Sequence, residues 1–209
     1  DAKERFWAQT RFGLSGKEKG IKFSELKAAL EHAREKIELG LEKVFDIRSG
    51  KLPTYFENTV TRYRTLRSGG KKTRHGAAPA WPPVEALQFS QKPLPLFLEG
   101  PVHALKIETD PERRRAIVKA VRQSALFDEK LGMYKVNAPL GGLSLEVGRS
   151  RVFNPGWLEN ESVWLHMEYK FLLEMLRGGL DEEFFREFKK VLVPYQPAER
   201  YGRSPLENS

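Results

Sequence analysis

Glu159, Ser162 and His166 are polar side chains spaced by three and four positions in a run that also contains regularly spaced apolar residues. Pro155-Gly156 before them predicts a turn, and the spacing of the apolar residues that follow predicts a helix from about Glu159. A helix turns by about 100° per residue, so the three side chains would lie on one face. A carboxylate accepts hydrogen bonds and an imidazolium donates them, so this polar stripe has the groups of a polar binding site.

A purely structural interpretation of the same stripe is also open. Glu159 and Ser162 would then cap the start of the helix, and His166 would be a half-buried histidine with a satisfied hydrogen bond. A related alternative is a helical scaffold without activity, in which Glu159 and His166 would be buried and paired. Spacing alone favours these interpretations, since short motifs are weak evidence without their structural context.

The order of motifs in this region resembles that of a known enzyme family. Asn154-Pro155-Gly156, then Glu159-Asn160, then His166, is similar to the Pro-Gly, Glu-Asn-Gly-Gly and His segment of cellobiose phosphorylases and related glycoside phosphorylases. The resemblance covers roughly residues 93–209, and the residues before 93 match only in layout. Three further segments resemble the family in the same order, namely residues 98–105, 110–121 and 199–205.

This resemblance implies a fold and a chemistry. It implies that residues 1–209 are part of one catalytic domain built as an (α/α)6 toroid, the six-hairpin glycosidase-like architecture. The implied reaction is phosphorolysis, or transglycosylation, of β-linked gluco-oligosaccharides. Glu159, next to Asn160 of the same substrate-binding segment, would bind sugar hydroxyls, and His166 would contact phosphate. Trp157 is a substrate-binding candidate for a different reason, because its ring could stack on a sugar ring. No cofactor and no metal are expected beyond inorganic phosphate as co-substrate.

The general acid of such an enzyme is not expected within this chain. Glycoside cleavage requires a carboxylic acid that protonates the leaving oxygen, and in the family it is an aspartate well upstream of the Glu-Asn segment. The expectation is therefore a fragment, inactive alone, whose remaining chain supplies that acid. Every aspartate here has an explanation as a helix cap or a loop end: Asp1, Asp46, Asp110, Asp128 and Asp181.

One departure from the family keeps a second enzyme class open. Glu161-Ser162 stands where the family has two glycines, and Trp157 replaces another glycine. A carboxylate facing the cleft would oppose phosphate, so a glycoside hydrolase of the same architecture is the alternative. Trp81 and Trp164 are further candidates for stacking on sugar rings, although a core position is equally expected for Trp164.

Composition points to a basic chain without a membrane anchor. The 209 residues include 36 Lys and Arg against 28 Asp and Glu, a net charge of +8. Such a charge keeps a nucleic-acid-binding helical module as another alternative, with Arg62–Arg74, Arg113–Arg115 and Arg149/Arg151 on one face. The glycines and prolines of the segment 64–92 predict a loop. Nucleic-acid binding is disfavoured because no aromatic residues alternate with the basic residues of this segment, as a single-strand binder would require.

The sequence has no apolar run long enough to span a membrane. A cytoplasmic enzyme, alone or as a homodimer, is expected.

The elements predicted around the site are mostly helices. Apolar residues at spacings of three and four predict an amphipathic helix after a Ser24 cap, and residues 52–63 read as one strand of a hairpin. Asp110-Pro111 predicts a helix start and Gly178-Gly179 a helix end. Further predictions are a helix over 96–107, extended pieces over 132–137 and 141–147, and a last helix from Asp181 with Phe184, Phe185, Phe188 and Leu192 inward. The predicted class is mainly α, with minor β-hairpin insertions.

Overall fold

The computed structural model describes residues 2–13, 16, 18–44, 52–66 and 84–201. By its contacts the chain divides into two compact units, residues 1–43 and 44–209. Helices are the main regular structure of the described residues, accompanied by two small antiparallel sheets. The predicted mainly α class with minor hairpins is therefore confirmed.

The first unit contains the helices α1 (Ala2–Thr10) and α2 (Phe23–Val44). The long amphipathic helix predicted from the apolar spacing is confirmed as α2. It begins before the predicted cap, because the carbonyl of Lys22 already accepts hydrogen bonds from the backbone N–H groups of Glu25 and Leu26. Ser24 is thus a helical residue rather than the N-cap.

A hairpin opens the described part of the second unit. Strands β1 (Phe56–Thr65) and β2 (Val84–Pro93) pair antiparallel, from Phe56 opposite Pro93 to Thr65 opposite Val84. The predicted hairpin is confirmed, but the loop predicted over 64–92 is wrong at both ends, because these residues complete the cross-strand ladder. The basic residues 67–74 and Trp81 of that loop lie outside the described residues.

Two helices follow the hairpin, α3 (Glu99–Ile107) and α4 (Pro111–Arg122). The predicted start of α4 is confirmed, since the Asp110 carboxylate accepts a hydrogen bond from the Glu112 N–H at 2.9 Å. α3 begins later than the predicted residue 96, because the carbonyl of Leu96 is taken by the N–H of Ala138. The two helices pack together through a buried face that includes Val102, Leu105, Ile117 and Val121.

Gly100 in the first turn of α3 allows a close approach of the chain before β1. The hydroxyl of Thr54 accepts a hydrogen bond from the Gly100 N–H at 3.1 Å and donates one to the Phe97 carbonyl at 3.0 Å. A β carbon on Gly100 would lie 2.3 Å from the Thr54 Oγ1. Any larger residue at this position would therefore displace the hairpin base from α3.

Residues 133–138, named here the central segment, run through the middle of the second unit. The segment begins with β4 (Met133–Tyr134), which pairs with β3 (Phe127–Asp128). Its residue Val136 accepts a hydrogen bond from the Leu98 N–H at 2.9 Å, next to α3. The predicted extended piece at 132–137 agrees with this course, and most of the segment is buried.

Helices α6 (Leu165–Arg177) and α7 (Asp181–Val191) pack against each other, and α6 also packs against α3. Gly178-Gly179 ends α6 as predicted, with Gly179 at a φ of 73° in the left-handed region that glycine favours. The predicted inward face of α7 is wrong in part. Phe185 is 56 % exposed, whereas Glu187 is buried.

The connections carry short helical turns. Residues Leu145–Val147 form a 3-10 turn, so the extended piece predicted over 141–147 is wrong. It leads into α5 (Arg149–Val152), where Arg151 donates hydrogen bonds to the carbonyls of Gly141 and Leu143. A further 3-10 turn (Val193–Tyr195) precedes α8 (Ala198–Tyr201). Within the described ranges no helix combines the length and apolar character needed to cross a membrane.

Candidate functional site

The candidate residues lie on a tight turn, residues 154–160, named here the site turn. The N–H of Trp157 donates to the Asn154 carbonyl at 3.0 Å, and the N–H of Gly156 donates to the Asn160 carbonyl at 2.7 Å. Gly156 has a φ of 85° and Leu158 a φ of 48°. Because of these two left-handed residues and the two backbone hydrogen bonds, residues 154–160 form a hydrogen-bonded turn rather than the start of a helix.

The helix predicted from Glu159 is therefore wrong, and with it the single polar stripe. α6 begins only at Leu165, after Glu161 at a φ of 54° has broken any helical course. The Ser162 carbonyl accepts a hydrogen bond from the Val136 N–H at 2.8 Å. Glu159 and Ser162 thus precede the helix, His166 lies in its first turn, and neither Glu159 nor Ser162 caps it.

Asn137 of the central segment holds the site turn through two hydrogen bonds of its side chain. Its side chain is buried, donates to the Glu159 carbonyl and accepts a hydrogen bond from the Glu161 N–H at 2.7 Å. One amide thus binds the backbone on both sides of Asn160. A buried amide satisfied in this way holds its partners rigidly, because breaking either bond would leave a buried polar group unpaired. Sequence reasoning missed Asn137, since its partners lie more than twenty positions away.

Two acceptor oxygens of the site turn are buried without a partner among the described residues. One is Oε2 of Glu159 and the other is Oδ1 of Asn160. The remaining polar atoms of both side chains are engaged. Oε1 of Glu159 pairs with the guanidinium of Arg149 on α5, and Nδ2 of Asn160 donates to the Phe153 carbonyl at 2.6 Å. The site turn therefore combines a fixed carboxylate and a fixed amide, each with acceptor capacity left over.

Trp157 presents an aromatic surface on the same turn. It is 57 % exposed, and its ring meets that of Phe153 edge-on, with centroids 5.3 Å apart. The edge contact orients the indole while its exposure leaves surface for a ligand. Trp157 is therefore an exposed, oriented indole, the kind of surface on which a sugar ring could stack.

Trp164 links the site turn to His166. Its indole N–H donates to the Leu158 carbonyl at 2.9 Å, and the hydroxyl of Ser162 donates to the same carbonyl. The Trp164 ring lies 5.3 Å from the imidazole of His166, which is exposed. The structure thus brings Trp157, Glu159 and Asn160 together on one turn, and joins His166 to them through Trp164.

Glu161 does not carry an unpaired negative charge. Its carboxylate lies 3.3 Å from the Nζ of Lys135 in the central segment, and both side chains are mostly buried. Its backbone has the left-handed φ for which a glycine, the residue of the resembled family, would be unstrained. The charge expected to oppose phosphate is therefore countered locally by Lys135.

A buried polar cluster that the sequence did not reveal lies between α6, α7 and β4. Glu187 is 1 % exposed and is contacted by Arg122, by Arg186 at 3.1 Å and by Lys190 at 2.8 Å. Glu168 of α6 is fully buried, and its carboxyl accepts a hydrogen bond from the Tyr134 N–H. Both carboxyls lie on the buried faces of their helices, Glu168 beside Phe171 and Leu172 and Glu187 beside Val191. A charged residue is not expected on such a face, so the sequence analysis did not select them.

Four described arginines of the face expected for nucleic acid pair with carboxylates of the chain. Arg113 pairs with Glu108 at 3.0 Å, Arg115 with Glu112 at 2.6 Å, and Arg64 with Glu85. Arg149 is held by Glu159, as described above.

Comparison with known proteins leaves the family assignment as a resemblance. No family model matches the chain, and no curated protein or solved structure is significantly similar to it. No group of three or more histidine, aspartate and glutamate side chains within the described ranges is arranged to hold a metal ion.

Proposed function

We propose that this chain is part of a carbohydrate-active enzyme of the glycoside phosphorylase type, acting on β-linked gluco-oligosaccharides by phosphorolysis or transglycosylation. In this proposal α3, α4, α6 and α7 belong to helix pairs of an (α/α)6 toroid, and the site turn faces its central cleft. The general acid is assigned to a part of the enzyme other than residues 1–209. This chain contributes the binding of sugar and phosphate.

The unpartnered oxygens of Glu159 and Asn160, beside the exposed Trp157, carry the proposal. A buried acceptor without a donor costs about 1–3 kcal/mol, which a ligand rich in hydroxyl donors would recover. A sugar ring offers vicinal hydroxyls at its edge and an apolar face, which suits an aromatic side chain next to polar anchors. Because Asn137 fixes the turn, these groups are in place before a ligand arrives.

His166 is the proposed phosphate contact. It lies in the first turn of α6, where the helix dipole also favours an anion. Its contact with Trp164 places it next to the site turn without occupying the acceptors of Glu159 or Asn160. Pairing of Glu161 with Lys135 weakens the objection that this carboxylate would repel phosphate, and so favours phosphorolysis over the hydrolase alternative.

The proposal is tested by titrating cellotetraose into the 209-residue chain and following amide shifts by NMR. We expect saturable shifts in residues 154–166, and at least a fivefold weaker affinity for Glu159→Gln and for Trp157→Ala. Tyr195→Ala is the matched control, because Tyr195 is an aromatic residue outside the turn that is 84 % exposed. Absence of saturable shifts, or equal affinities for all variants, would show that the turn is not a sugar site.

A further inference from the structure

Helix α2 of the first unit carries an apolar seam with a seven-residue repeat. The seam positions alternate at spacings of three and four over the 22-residue helix. This repeat is the pattern of helices that pair along their length in a coiled coil. The seam consists of Phe23, Leu26, Leu30, Ala33, Ile37 and Gly40.

The seam is exposed along the helix. Phe23, Leu30 and Ile37 are 81 %, 63 % and 57 % exposed, respectively. An amphipathic helix obtains most of its stability from packing of its apolar face, and Gly40 inside α2 lowers the intrinsic helix propensity further. A β carbon on Gly40 would meet nothing within 4 Å, so the glycine is not required by a neighbour within the described residues. A small residue on the seam instead permits the close approach of another helix.

The charges of α2 are segregated around this seam. All charged residues at the positions that flank it are basic, and all five glutamates of the helix lie on the far side. Lys27 and Arg34 also approach glutamates one turn away, at 3.7 and 3.6 Å, but exposed pairs of this kind contribute little and exchange readily. The flanking bases are Lys27, Arg34, Lys36 and Lys43.

From the seam and its basic flanks we infer that α2 is a docking surface for an amphipathic helix with acidic flanks. Residues beside the seam of a coiled coil face the corresponding residues of the partner, and their charges choose the partner. A partner with glutamate or aspartate at these positions would pair with the bases while its apolar residues cover Leu30 and Ile37. The surface shares no residue with the site turn, and the inference does not depend on the proposed enzymatic function.

A second copy of α2 fits this surface less well. Two copies would place basic flanks against basic flanks, and like charges at facing positions destabilise a helix pair. The glutamates of the second copy would point away from the seam, where they could not compensate. The charge pattern therefore selects a different helix as the occupant.

The test uses two designed peptides of about four heptads, with isoleucine and leucine on their seams. The acidic peptide has glutamate at all flanking positions, and the basic peptide has lysine there. Fluorescence anisotropy of the labelled peptides measures binding to the 209-residue chain. We expect the acidic peptide to bind at least tenfold more tightly than the basic peptide, with an affinity that falls as salt is added.

Variants of the chain separate the contributions of seam and flanks. Ile37→Lys should weaken binding of the acidic peptide at least tenfold, whereas Leu39→Lys should not, because Leu39 is equally exposed but lies off the seam. Changing Lys27, Arg34, Lys36 and Lys43 to glutamate should reverse the preference toward the basic peptide. Circular dichroism confirms that each variant keeps its helix content.

Three outcomes would overturn the inference. Equal binding of both peptides would show that charge does not select the occupant, and no binding of either would show that the seam is not a docking surface. Self-association of the chain by sedimentation that Ile37→Lys abolishes would assign the seam to a second copy. Loss of sugar binding at the site turn has no bearing on any of these readouts.

Discussion

The carboxyl of Glu168 accepts a hydrogen bond from the backbone N–H of Tyr134 at 3.1 Å, in the core of the second unit. This bond joins α6 to the central segment, which also clamps the site turn through Asn137. Burial raises the pKa of Glu168 from its ordinary 4.5 to about 8. The Tyr134 N–H and the charge of Lys190 lower this pKa, and the charge of Glu187 raises it. At neutral pH the buried carboxyl is therefore mostly protonated.

We predict that Glu168 makes the second unit less stable as the pH rises from about 4.5 to about 8. In this window the folded chain keeps a proton that the unfolded chain releases, so the free energy of unfolding falls with pH. The slope from one such group approaches about 1.4 kcal/mol per pH unit. Urea denaturation of wild type and Glu168→Gln measures it, because the neutral amide cannot ionise.

The two proteins should have similar free energies of unfolding near pH 4.5. As the pH approaches 8, the free energy of unfolding should fall in the wild type relative to the glutamine variant. The variant thereby controls for every other titrating group. Stability curves that stay parallel across the window would contradict the prediction and mean that Glu168 has the same pKa in both states.

Glu187 should contribute to stability as the shared partner of three cations. Glu187→Ala leaves Arg122 and Lys190 around a site that is 1 % exposed. Removing one member of a buried ion pair typically lowers the free energy of unfolding by about 3–5 kcal/mol. Thermal and urea denaturation should show this loss, while Glu182→Ala at an exposed position of the same helix should change stability by less than about 1 kcal/mol. Equal effects of the two variants would contradict a buried-pair role.

Asn137 should be the residue on which the shape of the site turn depends most. Asn137→Ala unpairs the Glu161 N–H and the Glu159 carbonyl, and an unsatisfied buried group costs about 1–3 kcal/mol. We expect a similar loss of stability and faster amide exchange at Glu161, measured by NMR. Asn154→Ala, an exposed asparagine on the same turn, is the control and should change neither. Unchanged exchange at Glu161 in Asn137→Ala would show that the clamp is unnecessary.

Local signals explain which parts of the fold the sequence predicted. The start of α4 at Asp110-Pro111 and the end of α6 at Gly178-Gly179 depend on residues within a few positions of each other, and both predictions were confirmed. The length of α2 followed from its apolar repeat alone. In contrast, the sequence predicts a loop where most of β2 lies, because β2 is stabilised by pairing with β1 rather than by its own residues.

The geometry of the site turn could not be predicted from the sequence. Leu158 and Glu161 adopt positive φ values that neither residue type favours, so nothing local predicted a break before Leu165. The interruption before α6 depends on two contacts between residues far apart in the sequence. Asn137 accepts a hydrogen bond from the Glu161 N–H, and the Val136 N–H donates one to the Ser162 carbonyl. The residue identities Trp157, Glu159, Asn160 and His166 could be selected in advance, but their arrangement on a clamped turn could not.

In the proposed glycoside phosphorylase, Glu159 and His166 should affect different substrates. Glu159 shares its turn with Asn160 and Trp157, whereas His166 lies on α6 and contacts the turn through Trp164, which precedes that helix. Glu159→Ala should therefore weaken use of the oligosaccharide, and His166→Ala should raise the KM for phosphate. Each lost charge-assisted hydrogen bond should cost about 1.5–3 kcal/mol, or roughly ten- to a hundred-fold in kcat/KM. Initial rates of sugar 1-phosphate release, with each substrate varied in turn, separate the two effects. If His166→Ala lowers only the melting temperature and leaves both KM values unchanged, the histidine is structural and the phosphate contact lies elsewhere.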